Sequence, residues 1–429
     1  MKLDIFLDPL SLLILIPLFA AILAFLIRPI RRYVALLSAA GVGFFAVLIF
    51  IDIIKSGSKA ILLPRVFGIA NSLSVDYLSA IMLLLVSFFA FMIFIYSFKF
   101  GSGPKGDWRF FVFSLLTYSA ANGALISGSV LVLYLFWGIL LFTVYGLLFF
   151  GKGDVESTAS KMFILNGTAD FLLLFGLLVF IFYTKQSGMS VEPGQLSYFP
   201  KTILQRFTLN NPLAIISFVC IAVGALTKAG SFPLHTWIPK AAETAPAETM
   251  AFIPASLDKI LGIYLFLRLC YSVFEIRSNT TIQIVFLSIG AVTVLAAVFM
   301  ALVQKDAFKL LSYHAVSQVG YMVLGIASGT ILGLVGGLFH MMNHALYKSS
   351  LFLTAGSVQR NTGETNLDKL GGLASAMPLT FFSFTISALA ISGVPPLNGF
   401  ISKWLVYQAL VDIGSRNPVF YIFLVAGMF

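Results

Sequence analysis

Long apolar runs follow one another through the chain with brief polar interruptions, and their length points to membrane-spanning helices. A spanning helix needs about 20 mostly apolar residues. Twelve such runs fall near 9–27, 33–53, 76–98, 108–126, 128–150, 160–183, 212–238, 250–272, 281–303, 306–326, 330–356 and 378–411. The first begins almost at once but lacks a small-residue cleavage site. It reads as a first helix and not as a removed signal peptide. A thirteenth run, Val419 to Phe429, meets the end of the sequence. At about 1.5 Å per residue it reaches about 16 Å, short of a core of about 30 Å. The expectation is a helix that continues beyond the given sequence, or one only half-inserted. The longest linkers, Thr184 to Asn211 and Ser56 to Asn71, are too short for a second folded domain. The expected fold class is an all-α polytopic membrane protein.

Composition narrows the function classes. Of 429 residues, 59% are hydrophobic and 10% charged, with mean hydropathy +0.99. Soluble domains carry roughly 25% charge, so a soluble enzyme, a disordered chain and a secreted disulfide scaffold are excluded. The net charge of +10 is read as loop lysines and arginines facing lipid headgroups, not nucleic acid. Cys220 and Cys270 sit in apolar runs and form no metal-ligand pattern. No phosphate loop, nucleotide fingerprint, cysteine cluster or haem-attachment motif occurs. No cofactor is expected on this chain, and redox or nucleotide chemistry would belong to a partner. Loops after odd-numbered spans hold thirteen lysines and arginines, against ten for the N-terminus and the loops after even-numbered spans. That bias places the N-terminus outside.

Four basic residues fall outside that count: Lys228, Lys259, Lys348 and Lys403. All lie within apolar spans or at breaks in them. A charge near the bilayer centre costs about 2.5–3.5 kcal/mol on insertion scales, and such groups are usually functional. Burial can make a lysine release its proton, whereas an arginine keeps its charge. The competing reading is that their ammonium groups snorkel to the headgroups. Asp170 falls inside the sixth span, and Asp258 inside the eighth beside Lys259. Adjacent helix residues do not face each other, so Asp258 and Lys259 are expected to serve different neighbours. His340 and His344 are spaced i, i+4, and Lys348 extends that face by one more turn. The pair lacks the glutamate and third ligand of a zinc site. A proton or water-wire face suits residues that titrate near neutral pH; a packed core pair is the alternative.

Two spans are interrupted. Span 7 carries Lys228-Ala229-Gly230-Ser231-Phe232-Pro233-Leu234-His235, and span 12 carries Gly393-Val394-Pro395-Pro396-Leu397-Asn398-Gly399 ahead of Lys403. Proline leaves a carbonyl unpaired. Unpaired backbone at membrane depth is tolerated only where protein or a water-filled cavity satisfies it. Two breaks in corresponding halves point to an inverted-repeat transporter with its ion path at the breaks.

With these motifs in view, the sequence resembles the antiporter-type membrane subunits shared by respiratory complex I, Mrp-type sodium/proton antiporters and energy-converting membrane-bound hydrogenases. The matching segments are Phe232 to Pro239, Asp306 to Tyr313, Ser317 to Met322, His340 through His344 to Lys348, and Gly393 to Phe400. The resemblance implies about fourteen helices with two inverted five-helix repeats. On that reading 1–107 form the leading helices, 108–275 the first repeat and 276–429 the second. It also implies that Lys228 is the central proton carrier and that Lys403 belongs to the exit side. His340, His344 and Lys348 would line the hydrated connection between the halves, and Asp170 resembles an acid that some members carry. Two departures stand out. The family's Phe-Trp-Glu reads Phe136-Trp137-Gly138, and Lys259 stands one residue early, a turn of about 100°. Asp170 or Asp258 is the candidate replacement for the missing glutamate.

The expected role is an ion-translocating subunit of a redox-driven complex in the cell membrane. Its partners would be other membrane subunits, a peripheral redox arm and membrane lipids. The ion would be H⁺, with Na⁺ exchange possible. One alternative is a structural or conduction-impaired subunit, which the missing glutamate favours. The other is a subunit of a secondary antiporter.

Overall fold

The computed structural model describes residues 2–66, 69–100, 108–149, 151, 153–187 and 206–428. Each expected span is a helix. They are α1 (Pro9–Leu26), α2 (Arg31–Ser56), α3 (Tyr77–Phe100), α4 (Trp108–Leu125), α5 (Val130–Leu148) and α6 (Val155–Gln186). Then come α7 (Pro212–Ala229), α8 (Trp237–Thr244), α9 (Ala247–Val273), α10 (Thr280–Leu302), α11 (Ala307–Ala327) and α12 (Ile331–Thr362). The chain closes with α13 (Pro378–Ser392), α14 (Asn398–Arg416) and α15 (Pro418–Met428). Among the described residues, nine helices are long and apolar enough to cross a membrane. The chain is a multi-pass membrane protein.

Side-chain caps set many of the starts. Asp8, Ser129, Asp154, Asn211, Asn279, Asp306 and Thr330 each accept a hydrogen bond from the first turn of the following helix. They satisfy donors that the helix itself leaves free. In lipid such donors have no water to turn to.

α9 is the axis of the molecule. Every residue from Ala247 to Cys270 is buried. It departs from α geometry at two π turns, Ile253–Leu257 and Leu269–Val273, and Asp258 and Lys259 open the regular segment between them. Gly262 lets α9 lie against α7, because a methyl group there would fall 2.5 Å from the carbonyl oxygen of Ala225. Close backbone approach through small residues is how helices associate where water gives no driving force.

Both interrupted spans are broken where the Gly-Pro segments stand. α7 ends on Gly230 with φ of 78°, and α13 ends on Gly393 with φ of 82°. Both angles are left-handed and favour glycine. The chain then runs irregularly until α8 and α14 begin.

Three features differ from the sequence reading. Much of the stretch expected as a loop from Ser56 is an antiparallel hairpin of β1 (Ser58–Val66) and β2 (Ile69–Asp76). The alternation Ser72-Leu73-Ser74-Val75 carries a two-residue period, and Leu73 and Val75 are its buried side. Arg268, counted above among the loop residues that set orientation, is buried in α9 and pairs with Asp76 at the end of the hairpin. A buried arginine satisfied by a carboxylate carries no topological information, and because Arg268 stood in the smaller group, setting it aside leaves thirteen against nine. Of the expected linker from Thr184 to Asn211, residues 188–205 lie outside those described. Its far end pairs Phe207–Thr208 with Phe274–Glu275 as a short parallel bridge.

Candidate ion-translocation site

The first break carries a cluster of four charges. Lys228, the penultimate residue of α7, is buried. Its ammonium stands over the ring of Trp137 on α5, 5.4 Å from the centroid. The Trp137 indole donates to Asp170 Oδ1 on α6 at 2.9 Å. The indole thus touches both the lysine and the acid, with its face toward one and its N–H toward the other. Asp258 lies within Coulombic reach of Lys228, Lys259 and Asp170. Asp170 Oδ2 and Asp258 Oδ1 are buried without a hydrogen-bond partner. Lys259 is fully buried and donates to the carbonyl of Ala229, the last residue of α7. Its position one residue early therefore still brings it onto the break, where the carbonyl end of a helix favours a cation.

Gly138 faces elsewhere. Trp137 takes the Lys228 side of α5, and a methyl group on Gly138 would meet nothing within 4 Å. The backbone of the break is held by α10: Ser231 Oγ and the Phe232 N–H lie 3.0 and 3.2 Å from Thr293 Oγ1.

α12 connects the two breaks. His340, His344 and Lys348 share one face, and all three are fully buried. Lys348 donates to the Leu311 carbonyl at 2.9 Å, so it does not bond the histidine one turn away. Both ring nitrogens of His344 are buried and unpartnered, and Lys259, Lys348 and His340 all lie within Coulombic reach. His340 sits between Ser402 Oγ, 2.9 Å from Nδ1, and Gln318 Oε1, 3.1 Å from Nε2.

The second break holds the remaining lysine. Lys403 is half-buried, with its ammonium 4.7 Å from the centroid of the Tyr321 ring. Tyr321 in turn stands 5.5 Å from the His340 ring. Asn343 on α12 and Asn398 pin the break to the connecting helix. Asn343 Nδ2 donates to the Asn398 carbonyl, and Asn398 Nδ2 donates to Asn343 Oδ1, both at 2.9 Å.

Lys228, Asp170, Asp258 and Lys259 thus form one group at the first break. His344 and Lys348 follow on α12, then His340 and Lys403 at the second. Sequence reading missed Trp137 as a contact, Gln318 and Ser402 as partners of His340, and the asparagine pair. Trp137 and Gln318 stood inside quoted motifs, but tryptophan and glutamine carry no charge to mark them. Among the described residues no group of three or more metal-binding side chains occurs.

Known proteins share this architecture. Residues 127–429 match the family described as NADH:quinone oxidoreductase/Mrp antiporter, transmembrane. Residues 65–111 match the N-terminus of NADH-ubiquinone oxidoreductase (complex I) chain 5. An NADH-quinone oxidoreductase subunit of Desulforudis audaxviator is 32% identical over 357 residues, covering 82% of this chain and 68% of that one. A Na⁺/H⁺ antiporter subunit of Alkalihalophilus pseudofirmus is 29% identical over 387 residues, covering 89% and 75%. Among solved structures, one from the Mrp complex of Dietzia sp. superposes with a TM-score of 0.82 at 23% identity, over all of this chain and 78% of that one.

Proposed function

Since the chain belongs to the NADH:quinone oxidoreductase/Mrp antiporter transmembrane family, we propose that it is an antiporter-type subunit that relays protons between its two broken helices. The path runs from Lys228 and Lys259 through His344 and His340 to Lys403, with Lys348 beside it. Asp170 and Asp258 supply the counter-charge at the first break. Na⁺ exchange is the variant of this role that the antiporter relatives suggest. The assembly would be a complex in the cell membrane, with further membrane subunits, lipids around it and a peripheral redox arm as the source of energy. Residues 108–275 and 276–429 would be its two inverted repeats.

The observation that carries this reading is the row of buried, ionisable side chains between the breaks. Charges and orphaned polar atoms at this depth cost too much to be kept for packing alone. Groups such as the His344 nitrogens are ordinarily met by internal water, and water between them completes a proton path. The test is the complex purified and reconstituted in vesicles, with lumenal pH followed by a dye while turnover is driven. Lys228→Ala is expected to abolish proton movement while the complex stays assembled. Pumping at the normal rate would overturn the relay.

A second reading is a subunit that keeps the fold but conducts poorly, and Gly138 in place of a carboxylate favours it. If Asp170→Asn and Asp258→Asn, singly and combined, leave a Lys228-dependent flux unchanged, neither acid replaces the missing glutamate; a complex whose flux is the same with Lys228→Ala as without it would favour the second reading.

A further inference from the structure

Ser402 lies fully buried in the first turns of α14, directly before Lys403. Its Oγ is 2.9 Å from His340 Nδ1, 3.1 Å from the carbonyl oxygen of Gly399 and 3.4 Å from that of Asn398. A buried helical serine commonly bonds back to a carbonyl of its own helix and does nothing more. Here the hydroxyl has a second, titratable partner, and the surrounding network determines how the two share one hydrogen.

The other face of His340 is fixed by Gln318. The Ser317 hydroxyl donates to the His314 carbonyl at 3.0 Å, so its oxygen is left to accept. Gln318 Nε2 donates to that oxygen at 3.3 Å. The amide is thereby oriented with Oε1 toward His340, and Oε1 also accepts the Tyr347 hydroxyl at 3.3 Å. An amide oxygen only accepts. His340 Nε2 therefore carries its hydrogen throughout, and Nδ1 is the nitrogen that gains and loses the mobile proton.

Neutral His340 offers a lone pair at Nδ1 and takes the Ser402 hydrogen. Doubly protonated His340 donates from Nδ1 to Oγ, and the hydroxyl hydrogen then needs another acceptor. The Gly399 carbonyl is that acceptor. The hydroxyl has an acceptor in each charge state, the imidazole in one and the helix carbonyls of Gly399 and, at longer range, Asn398 in the other, and neither state leaves a buried donor unpaired.

We propose that Ser402 is the hydroxyl through which His340 takes up and returns its proton on the side of the second break. The step deepens the relay reading and rests on it. A protonated water on the break side, charged in turn by the Lys403 ammonium, gives H⁺ to Oγ. As that O–H bond forms, the older O–H bond breaks and its hydrogen becomes the Nδ1–H of the imidazolium. The new hydroxyl hydrogen turns to the Gly399 carbonyl. One positive charge moves from the donor to His340, and no electrons are exchanged. The return transfer runs the same bonds backwards.

The test uses the assembled complex in vesicles, with Ser402→Ala, Ser402→Thr and Ser402→Cys beside Lys403→Met. Alanine fits the space without the hydroxyl, and threonine restores it. Proton flux is expected to fall about tenfold or more in Ser402→Ala and to return to within about twofold of the parent in Ser402→Thr. Cysteine, a weak donor of similar size, should be intermediate and serves if threonine does not assemble. Replacing H₂O by D₂O should slow the parent more than the alanine variant, a difference that a packing role would not produce. Full flux in Ser402→Ala, with Lys403→Met inactive, overturns the Ser402 step and leaves the relay standing. Full flux in both variants overturns the two together.

Discussion

The two broken helices are built alike at the backbone and differently around their lysines. Each stops on a left-handed glycine, Gly230 or Gly393, and each runs through a Pro-containing segment. At the first break Lys228 precedes the glycine and is enclosed by an indole, with two carboxylates in Coulombic reach. At the second break Lys403 follows the glycine by ten residues, in the second turn of α14, and meets a tyrosine ring, and among the described residues no carboxylate pairs with it. Both breaks expose part of their backbone turn, Phe232, Pro233 and Thr236 at the first and Val394, Pro395 and Pro396 at the second, but Lys228 is buried whereas Lys403 is half-buried. In the relay proposed above, this difference would make the first break the place where the proton is stored and the second the place where it is released.

The largest effect that would break this contrast comes from the counter-charges. Asp170→Asn keeps a group that Trp137 can bond but removes the negative charge facing Lys228. Proton flux is expected to drop about tenfold or more, measured with the pH dye in vesicles. Asp258→Asn should act in the same direction and less strongly, since Asp170 is joined to the Lys228 site through Trp137. An Asp258→Asn defect larger than that of Asp170→Asn would reverse the assignment of the main counter-charge.

At the second break, Lys403→Met is expected to lower flux while the complex still assembles, because a neutral side chain of similar length reduces the insertion cost. Loss of assembly, seen by native gel, would instead make Lys403 structural. Gly138→Glu sharpens the contrast from the other side. There is room for the side chain on α5, but it starts about 100° round the helix from Trp137. Flux in this variant is expected to change by less than about threefold, and a larger gain would show that the new carboxylate reaches Lys228.

The smallest effect lies outside the membrane, at the turn joining the connecting helix α12 to the second broken span. Glu364 accepts from the N–H groups of Asn366 and Thr365 and pairs with Lys369, and these hold its carboxyl below the usual range. Such a group stabilises above its ordinary pKa of about 4.3 and loses that contribution as the pH falls. Glu364→Gln should lower the melting temperature slightly at neutral pH, with the difference shrinking toward pH 4 and flux unchanged.

Much of the fold was legible because lipid imposes it. Twelve apolar runs became helices, and both breaks fell where glycine and proline stood together. The buried lysines and histidines were legible for the same reason, since any charge at that depth stands out. Three things were not. The hairpin β1–β2 lay in a short alternation beside a proline, too brief to compete with the helical pattern. Arg268 looked like a loop cation because nothing in its own helix shows that Asp76 lies against it. Trp137, Gln318, Ser402 and the Asn343–Asn398 pair act through contacts across 22 to 91 residues, and no local spacing encodes such partners.

The central claim is that Lys228 releases and regains a proton, and Lys228→Arg tests it most directly. Arginine keeps the positive charge and can lie over the Trp137 ring, but it does not deprotonate. Proton uptake into vesicles containing the assembled variant complex, compared with the parent at equal turnover drive, is predicted to fall to the leak of empty vesicles. Uptake at the parental rate would contradict the account, because a fixed charge would then serve as well as a titrating one.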